Sequence, residues 1–267
     1  MIKGIDVSKH NGAIKWEKTK EVIDFAMLRA GYGKNNIDAK FKYNADECTR
    51  LSIPFGVYWF SYAYTPDMAR KEADYCLQAI KPYKLLYPVC FDFEYDSFSY
   101  ARQNGKTLKS DDIVTLCRSF LDRIEESGYY AMNYANSDYL NYYGMKKLTE
   151  RYDLWYAYPE KEKPNRSCGI WQSSFKGKIA GITGKVDTNI AYKNYPEIMA
   201  AIKKEEQIKE KPINQEQTFD EYAKTRYEEV AKRILNGDFG NGQERKVKLI
   251  NAGYDYKLAQ KMVKEIL

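Results

Sequence analysis

The sequence has very little histidine, and its cysteines show no paired spacing. Its 267 residues include one histidine, His10, and five scattered cysteines without a Cys-x-x-Cys motif. One imidazole is too few for the usual zinc sites or for a catalytic triad. An odd number of dispersed cysteines favours buried free thiols over a disulfide framework. We therefore expect no metal ion and no other cofactor, although a metal site built only from carboxylates stays open.

Long hydrophobic runs and basic clusters are also missing. No segment is long and apolar enough to span a bilayer, and Met1-Ile-Lys-Gly-Ile-Asp6 enters a strand pattern without a secretory hydrophobic region. The net charge of +6 is spread along the chain, whereas a nucleic-acid groove usually shows a basic stripe. We expect neither membrane insertion nor nucleic-acid binding. The surplus charge fits weak attraction to an anionic polymer, and it fits an ordinary mixed-charge surface equally well.

Eight short apolar segments are predicted as strands, and helical patterns follow only the first five of them. The predicted strands lie at 2–8, 25–31, 54–63, 87–95, 129–136, 153–158, 169–175 and 185–192. The predicted helices lie at 14–24, 38–50, 66–80, 113–128 and 136–148, and a polar loop is predicted at 96–109. Strand–helix alternation over about 200 residues favours a parallel barrel. We therefore predict an α/β fold, an irregular TIM-like barrel of eight strands and five helices.

Four acidic residues lie near strand ends of this predicted barrel. Asp92 and Glu94 stand two residues apart at the end of the fourth strand, so both side chains are expected on one face. Close, partly desolvated carboxylates repel each other, which raises one pKa. Asp6 lies near the end of the first strand and Asp187 lies in the eighth, and these strands become neighbours when a barrel closes. Because active sites of such barrels form at the carboxyl ends of strands, we expect all four acids in one cleft. The alternative is a solvated strand end with surface acids.

The chain after the barrel divides into a charged connector and a small helical unit. We predict a barrel domain at 1–202, a linker at 203–217 and a second domain at 218–267. Thr218-Phe-Asp-Glu221 has the pattern of a helix-capping box. Three helical patterns then fit into the remaining residues, which predicts a three-helix bundle of modest stability.

Eight motifs, taken in order along residues 1–200, resemble glycoside hydrolase family 25, the muramidase-type lysozymes. They are Gly4-Ile-Asp-Val-Ser-Lys-His-Asn-Gly12, Arg29-Ala-Gly-Tyr-Gly33, Gly56-Val-Tyr-Trp-Phe60, Asp92-Phe-Glu94, Tyr134-Ala-Asn136, Leu154-Trp-Tyr-Ala157, Trp171-Gln-Ser173 and Val186-Asp-Thr-Asn189. The resemblance implies a barrel of eight strands and five helices. It also implies cleavage of the β-1,4 bond between N-acetylmuramic acid and N-acetylglucosamine in bacterial peptidoglycan. Trp59 departs from the family, many of whose members have histidine there.

The resemblance implies roles for individual residues of this chain. The family's Asp-x-Glu pair falls on Asp92 and Glu94, and its outer aspartates fall on Asp6 and Asp187. Glu94 is expected to be the general acid, with Asp92 stabilising the reacting centre in a substrate-assisted, retaining course. An inverting course with a carboxylate-activated water is the alternative. Aromatic rings suit sugar faces, and we expect substrate contacts from Tyr32, Phe60, Tyr62, Tyr134, Trp155 and Trp171, with barrel packing the alternative for each.

The tail resembles the CW-seven wall-binding repeat of phage lysins. The matching residues are Asn236-Gly-Asp-Phe-Gly-Asn-Gly242, Arg245 and Ala252-Gly-Tyr-Asp-Tyr256. Arg245 and Tyr254 are the candidate wall contacts. One repeat predicts weak wall binding unless the chain forms a homodimer through or near this unit.

The whole pattern is typical of a phage or prophage endolysin. Such a protein is expected to be made in the bacterial cytoplasm without a signal peptide and to reach the wall through a holin. A bacterial autolysin, a chitinase-like hydrolase and a non-catalytic wall-binding protein are the alternatives.

Overall fold

The computed structural model describes residues 1–201, 219–252 and 254–266. The chain divides into two compact units, Met1–Lys203 and Lys204–Leu267. The predicted linker at 203–217 and the predicted cap at Thr218 lie outside the described residues. No helix in the described part is both long and apolar enough to cross a membrane.

Strands of the first unit form a closed barrel. They are β1 (Ile2–Val7), β2 (Phe25–Tyr32), β3 (Asn36–Ile37), β4 (Phe55–Phe60), β5 (Val89–Asp92), β6 (Ala131–Asn136), β7 (Asp153–Ala157), β8 (Ile170–Gly177) and β9 (Val186–Ala191). Their order in the sheet is β1-β9-β8-β7-β6-β5-β4-β2-β3, and β1 also pairs with β2. That pairing closes a ring of eight strands, and β3 is a two-residue hairpin partner of β2 outside the ring. The predicted eight-stranded barrel is confirmed.

The last strand runs against the direction of the others. β9 pairs antiparallel with both β8 and β1, so the expectation of an entirely parallel barrel is wrong. Residues 178–185 connect β8 to β9, and a parallel crossover needs roughly a dozen residues or more. The reversal places the beginning of β9 at the rim where the parallel strands end, and Asp187 pairs with Asp6 there.

Helices surround the barrel in larger number than the five predicted. They are α1 (Trp16–Lys20), α2 (Phe41–Arg50), α3 (Pro66–Ile80), α4 (Tyr95–Gln103), α5 (Ser110–Glu126), α6 (Ser137–Tyr142) and α7 (195–201), with 3-10 turns at Lys9–Asn11 and Met145–Leu148. α3 begins as predicted, with the Thr65 side chain accepting from the N–H of Met68. The polar loop predicted at 96–109 is wrong over its first part, because α4 forms there. Few α4 side chains are buried, so its apolar pattern is short.

The two faces of the strands pack in different layers. Phe25, Met27 and Cys90 belong to a cluster inside the barrel, whereas their neighbours Leu28 and Phe91 pack in the layer under the helices. Alternate residues of a strand point to opposite faces. Asp92 lies two residues after Cys90, at the end of β5. Its side chain therefore faces the barrel interior and its mouth.

The second unit contains the three predicted helices. They are α8 (Phe219–Leu235), α9 (Gly242–Asn251) and α10 (Tyr256–Ile266). Their small core consists of Val230, Ala231, Ile234, Phe239, Leu249, Ala259, Met262 and Val263. The three-helix bundle predicted for this part of the chain is confirmed.

Candidate active site

Asp92 and Glu94 stand on two different elements. β5 ends at Asp92, and Glu94 is the N-cap residue of α4, so the prediction of one strand reaching residue 95 is wrong. The chain turns at Phe93, which is fully buried in the layer under the helices. The Ser97 hydroxyl accepts from the Glu94 N–H at 3.0 Å and donates to the Ser61 carbonyl at 2.6 Å. This bonding fixes where α4 begins, directly beside the end of β5.

The carboxyls of Asp92 and Glu94 influence each other strongly. Asp92 is 5% exposed, and burial raises its pKa well above the usual range, with further increases from the charges of Glu94 and Asp6. Burial, followed by the charges of Asp6 and Asp96, raises the pKa of Glu94 to about 7. Glu94 is only partly buried. The arrangement therefore offers a protonated carboxyl near neutral pH that still reaches the barrel mouth.

Asp6 and Asp187 complete the acidic cluster. Burial raises the pKa of Asp6 to about 6, while hydrogen bonds from Asn189 and Gln172 oppose the rise. Burial and the charges of Asp6 and Glu94 raise the pKa of Asp187 to about 7. Burial also raises the pKa of Tyr134, and the charges that raise it further are those of Glu94, Asp92, Asp6 and Asp187. The four carboxyls therefore lie close together, as expected.

Two side-chain amides that the sequence analysis did not single out hold this cluster together. Gln172 Nε2 lies 2.8 Å from Asp6 Oδ2 and 3.3 Å from Asp187 Oδ2, and Asn189 Nδ2 donates to Asp6 Oδ2 at 2.8 Å. Gln172 Oε1 accepts from the Tyr134 hydroxyl at 2.8 Å. Both residues stand in motifs that resemble the family, Trp171-Gln-Ser173 and Val186-Asp-Thr-Asn189, and this position could have marked them as site residues.

A buried guanidinium adjoins the acids and was also missed. Arg29 on β2 pairs with Asp38 at 2.7 Å, with 12% and 0% of the two side chains exposed. Asp38 also accepts the backbone N–H groups of Lys9 and Lys40. The Arg29 charge lowers the pKa of Asp92 against the effect of burial. One fixed cation thus limits the electrostatic repulsion within the acidic cluster.

Two of the predicted substrate contacts line an open cleft, and a third, Phe60, packs against one of them. Tyr32 and Tyr62 line a cleft of about 440 Å³ together with Tyr100 and Asp96. The Tyr62 ring lies 5.1 Å from that of Tyr100 and 5.2 Å from that of Phe60. Partly exposed rings around an open space match the surface that a sugar face requires.

The other three predicted contacts are nearly enclosed. Tyr134, Trp155 and Trp171 expose 8%, 2% and 4% of their surfaces. Trp155 Nε1 donates to Asn189 Oδ1 at 2.8 Å, and Trp171 Nε1 donates to the Tyr158 carbonyl at 2.9 Å. These rings support the amides and the rim, and their contact with substrate stays a prediction.

Arg245 and Tyr254 make contacts within the second unit. Arg245 Nε donates to the Gly240 carbonyl at 2.9 Å, and its Nη2 donates to Asn241 Oδ1 at 2.8 Å. The Tyr254 ring packs edge-on against Tyr227 and Phe239. Both residues therefore support the turn between α8 and α9, and wall contact by either stays a prediction.

No three His, Cys, Asp or Glu side chains in the described residues are placed to share a metal ion.

Comparisons with solved structures support the fold. A bacterial lysozyme from Streptomyces coelicolor is 21% identical, with a TM-score of 0.63 over 76% of this chain and 97% of that one. The modular autolysin LytC from Streptococcus pneumoniae, solved with a synthetic peptidoglycan ligand, is 26% identical, with a TM-score of 0.62. That match covers 72% of this chain and 46% of LytC.

Sequence comparisons identify the family. Uncharacterized protein YegX from Escherichia coli O157:H7 is 24% identical over 222 residues, which are 79% of this chain and 76% of that protein. Residues 228–267 match the CW_7 repeat. Residues 5–182, more than half of the chain, match the family described as Glycosyl hydrolases family 25. The resemblance drawn from the ordered motifs is thus confirmed, and the chain belongs to glycosyl hydrolase family 25 and is a glycoside hydrolase.

Proposed function

We propose that the protein hydrolyses the β-1,4 bond between N-acetylmuramic acid and N-acetylglucosamine in bacterial peptidoglycan. The observation that carries the proposal is the pairing of Glu94 with Asp92 at the barrel mouth. Glu94 is partly exposed and has a pKa of about 7, while the adjacent Asp92 is buried. Glycoside cleavage needs one carboxyl to protonate the leaving oxygen and another group to stabilise an oxocarbenium-like centre.

Glu94 is the proposed general acid. A catalytic pKa close to the working pH gives both a large protonated fraction and efficient proton transfer. The raised pKa of Asp92 means that the pair holds a proton before substrate binds. An acetamide N–H that donates to Asp92 favours its ionised form, and the proton is then retained by Glu94. Substrate binding thereby produces the acid at the leaving oxygen.

Asp92 is proposed to orient the substrate's 2-acetamido group, whose oxygen attacks the anomeric carbon. Water then opens the cyclic intermediate with Glu94 as base, which gives retention. Asp6 and Asp187, in their ionised forms, supply negative charge near the developing cation. Gln172 holds both of them through its amide. The hydrogen bonds from Gln172 and Asn189 favour the ionised form of Asp6, which suits a stabilising role.

Peptidoglycan is the proposed substrate for three reasons. The family consists of glycosyl hydrolases, LytC was solved with a peptidoglycan ligand, and the tail matches a CW_7 repeat. The repeat is proposed to keep the enzyme on the wall, with Arg245 and Tyr254 as contacts.

A phage or prophage origin, holin-dependent release and a homodimer through the second unit complete the proposal. Light scattering tests the dimer, and coexpression with and without a holin tests release.

Digestion of purified bacterial walls tests the reaction. We expect turbidity to fall and fragments reduced with borohydride to carry N-acetylmuramitol, as measured by mass spectrometry. Glu94→Gln should remain folded and bound to walls without clearing them. Reduced N-acetylglucosamine at the new ends, or release of chitin oligomers without wall clearing, would replace this proposal with a different glycosidase. Binding without any cleavage by the wild type would indicate a non-catalytic wall protein.

A further inference from the structure

Glu72 is a buried carboxylate that the proposed reaction does not use. It lies on the buried face of α3 between Ala69 and Ala73, and 3% of its surface is exposed. Burial raises the pKa of Glu72 to about 7, and the groups that oppose the rise are the Ser61 hydroxyl and the Tyr62 N–H. Placing a carboxyl in such surroundings without a cation costs stability. Such a carboxyl is tolerated where it is hydrogen-bonded, so its partners matter.

The contacts of Glu72 lead to the segment that follows β4. Glu72 Oε1 accepts the backbone N–H of Tyr62 at 3.0 Å. In the same segment, the Ser61 hydroxyl accepts the N–H of Ala63 at 3.1 Å. Glu72 therefore ties the Ser61–Ala63 segment to α3, at the point where the chain leaves the barrel rim.

The Ser61–Ala63 segment is bonded in turn to the backbone of the acidic pair. The Ser61 N–H donates to the Asp92 carbonyl at 2.7 Å. The Ser61 carbonyl accepts from the Ser97 hydroxyl, which also accepts the Glu94 N–H. Moving this segment would therefore shift the backbone of Asp92 through one hydrogen bond and the backbone of Glu94 through two.

The same segment carries Tyr62 into the open cleft. The Tyr62 ring lines the cleft with Tyr32 and Tyr100, and it is proposed to contact the glycan. Its backbone N–H is the group that Glu72 holds. The carboxyl thus fixes the base of a side chain whose ring forms the cleft wall.

We propose that Glu72 is a positioning residue of the active site, whose carboxyl fixes the Ser61–Ala63 segment and thereby the Tyr62 ring in the glycan cleft. This inference rests on the proposed function, because it takes Tyr62 to bind the substrate. Its proposed role is indirect and acts through the Tyr62 backbone.

Two substitutions separate positioning from packing. Glu72→Gln keeps the shape of the side chain and the acceptor for the Tyr62 N–H. Glu72→Leu introduces an apolar side chain of similar length and removes the acceptor. We expect Glu72→Leu to raise the KM for soluble glycan fragments about tenfold and to lower kcat less, since small misplacements of binding groups weaken productive binding. Glu72→Gln should stay within about twofold of wild type, because it rescues the lost acceptor.

Cys76→Ala is the matched control for general damage to α3. Cys76 is fully buried on the same helix, and its truncation leaves a cavity without removing a hydrogen bond to the rim. We expect Cys76→Ala to lower the Tm while KM stays unchanged. An equal KM increase in Cys76→Ala and Glu72→Leu, at matched temperatures below each Tm, would overturn the positioning role.

A double-mutant cycle with Tyr62→Ala tests the route of the effect. If Glu72 acts through the ring, Glu72→Leu should raise KM by less than about twofold in the Tyr62→Ala background. The same increase in both backgrounds would contradict the proposal. If Glu72→Leu does not fold, Glu72→Asp serves instead, since it withdraws the carboxyl by one methylene.

Hydrogen exchange provides a readout that does not depend on activity. The Tyr62 amide should exchange faster in Glu72→Leu than in wild type or Glu72→Gln, because its acceptor is gone. If the wild type releases no glycan fragments, the proposed function fails while this measurement still tests the anchor. An unchanged Tyr62 exchange rate in an active enzyme would reject the Glu72 proposal alone.

Discussion

The side-chain amide of Gln172 donates to Asp6, with 2.8 Å between Nε2 and Oδ2. The same nitrogen lies 3.3 Å from Asp187 Oδ2, so one amide lies between two carboxyls of like charge. The orientation of the amide is set from its other end, because Gln172 Oε1 accepts from the Tyr134 hydroxyl. This arrangement keeps two acids from the first and last strands together at the mouth.

Replacing Gln172 with methionine should impair catalysis more than folding. The variant keeps much of the side-chain length but loses the donor to Asp6 and Asp187, and hydrogen bonds to charged groups contribute about 1.5–3 kcal/mol. We expect kcat/KM to fall about tenfold or more. Gln78→Met, on the exposed face of α3, is the matched control. Wild-type turnover by Gln172→Met, with the fold verified by circular dichroism, would contradict the role of the amide.

The rate of wall hydrolysis should decline in alkaline solution. Glu94 must carry a proton to act as the acid, and its pKa is about 7. Above that value the protonated fraction falls about tenfold per pH unit, and kcat/KM should fall with it. A pH–rate profile measured with soluble glycan fragments tests this alkaline decline in kcat/KM. A rate that stays constant between pH 7 and roughly pH 9 would assign the acid to another group.

Much of the acidic cluster could be predicted from the sequence because barrel closure follows from strand counting. Asp6 and Asp187 were expected together since the first and last strands meet, and they do pair. The direction of β9 could not be read from apolar alternation, which is the same for parallel and antiparallel strands. The connection at 178–185 indicates the direction of β9, because it is too short for a parallel crossover.

The residues that the sequence analysis missed act over long separations. Gln172 and Asp6 are 166 positions apart, and Asn189 and Asp6 are 183 apart. A local pattern cannot indicate such contacts. The position of Glu94 was missed for a different reason, since α4 buries little apolar surface and its first residues read as a loop. The two-residue strand period therefore correctly predicted that Glu94 lies close to Asp92. It wrongly placed Glu94 on the strand instead of at the start of α4.

Glu94→Gln should affect stability in a pH-dependent way. The pKa of Glu94 is higher in the folded protein than its ordinary value, so the native state retains a proton that the unfolded chain releases. Its contribution to stability is full below the unfolded pKa and is lost as the pH rises through about 7. Glutamine cannot ionise and escapes this loss. Relative to wild type, the variant should therefore gain free energy of unfolding as the pH rises from roughly 5 to about 7.

Denaturant titrations at several pH values check this expectation. The difference in unfolding free energy, variant minus wild type, should increase with pH. Glu47→Gln is a suitable control, since Glu47 is hydrogen-bonded to Arg50 and its pKa is lowered. A pH-independent difference for Glu94→Gln would mean that the carboxyl is not desolvated in solution.

Arg29→Met should destabilise the barrel and also change the titration of its acids. Asp38 would remain buried without its cation, and breaking a buried pair costs roughly 3–5 kcal/mol. Loss of the Arg29 charge also removes the influence that lowers the pKa of Asp92, so the acidic pair should hold its proton to higher pH. Arg123→Met, which breaks a more exposed pair with Asp74, should cost about 0–1 kcal/mol. Equal costs for the two variants in denaturant titrations would show that the Arg29–Asp38 pair is solvated and cannot tune the cluster.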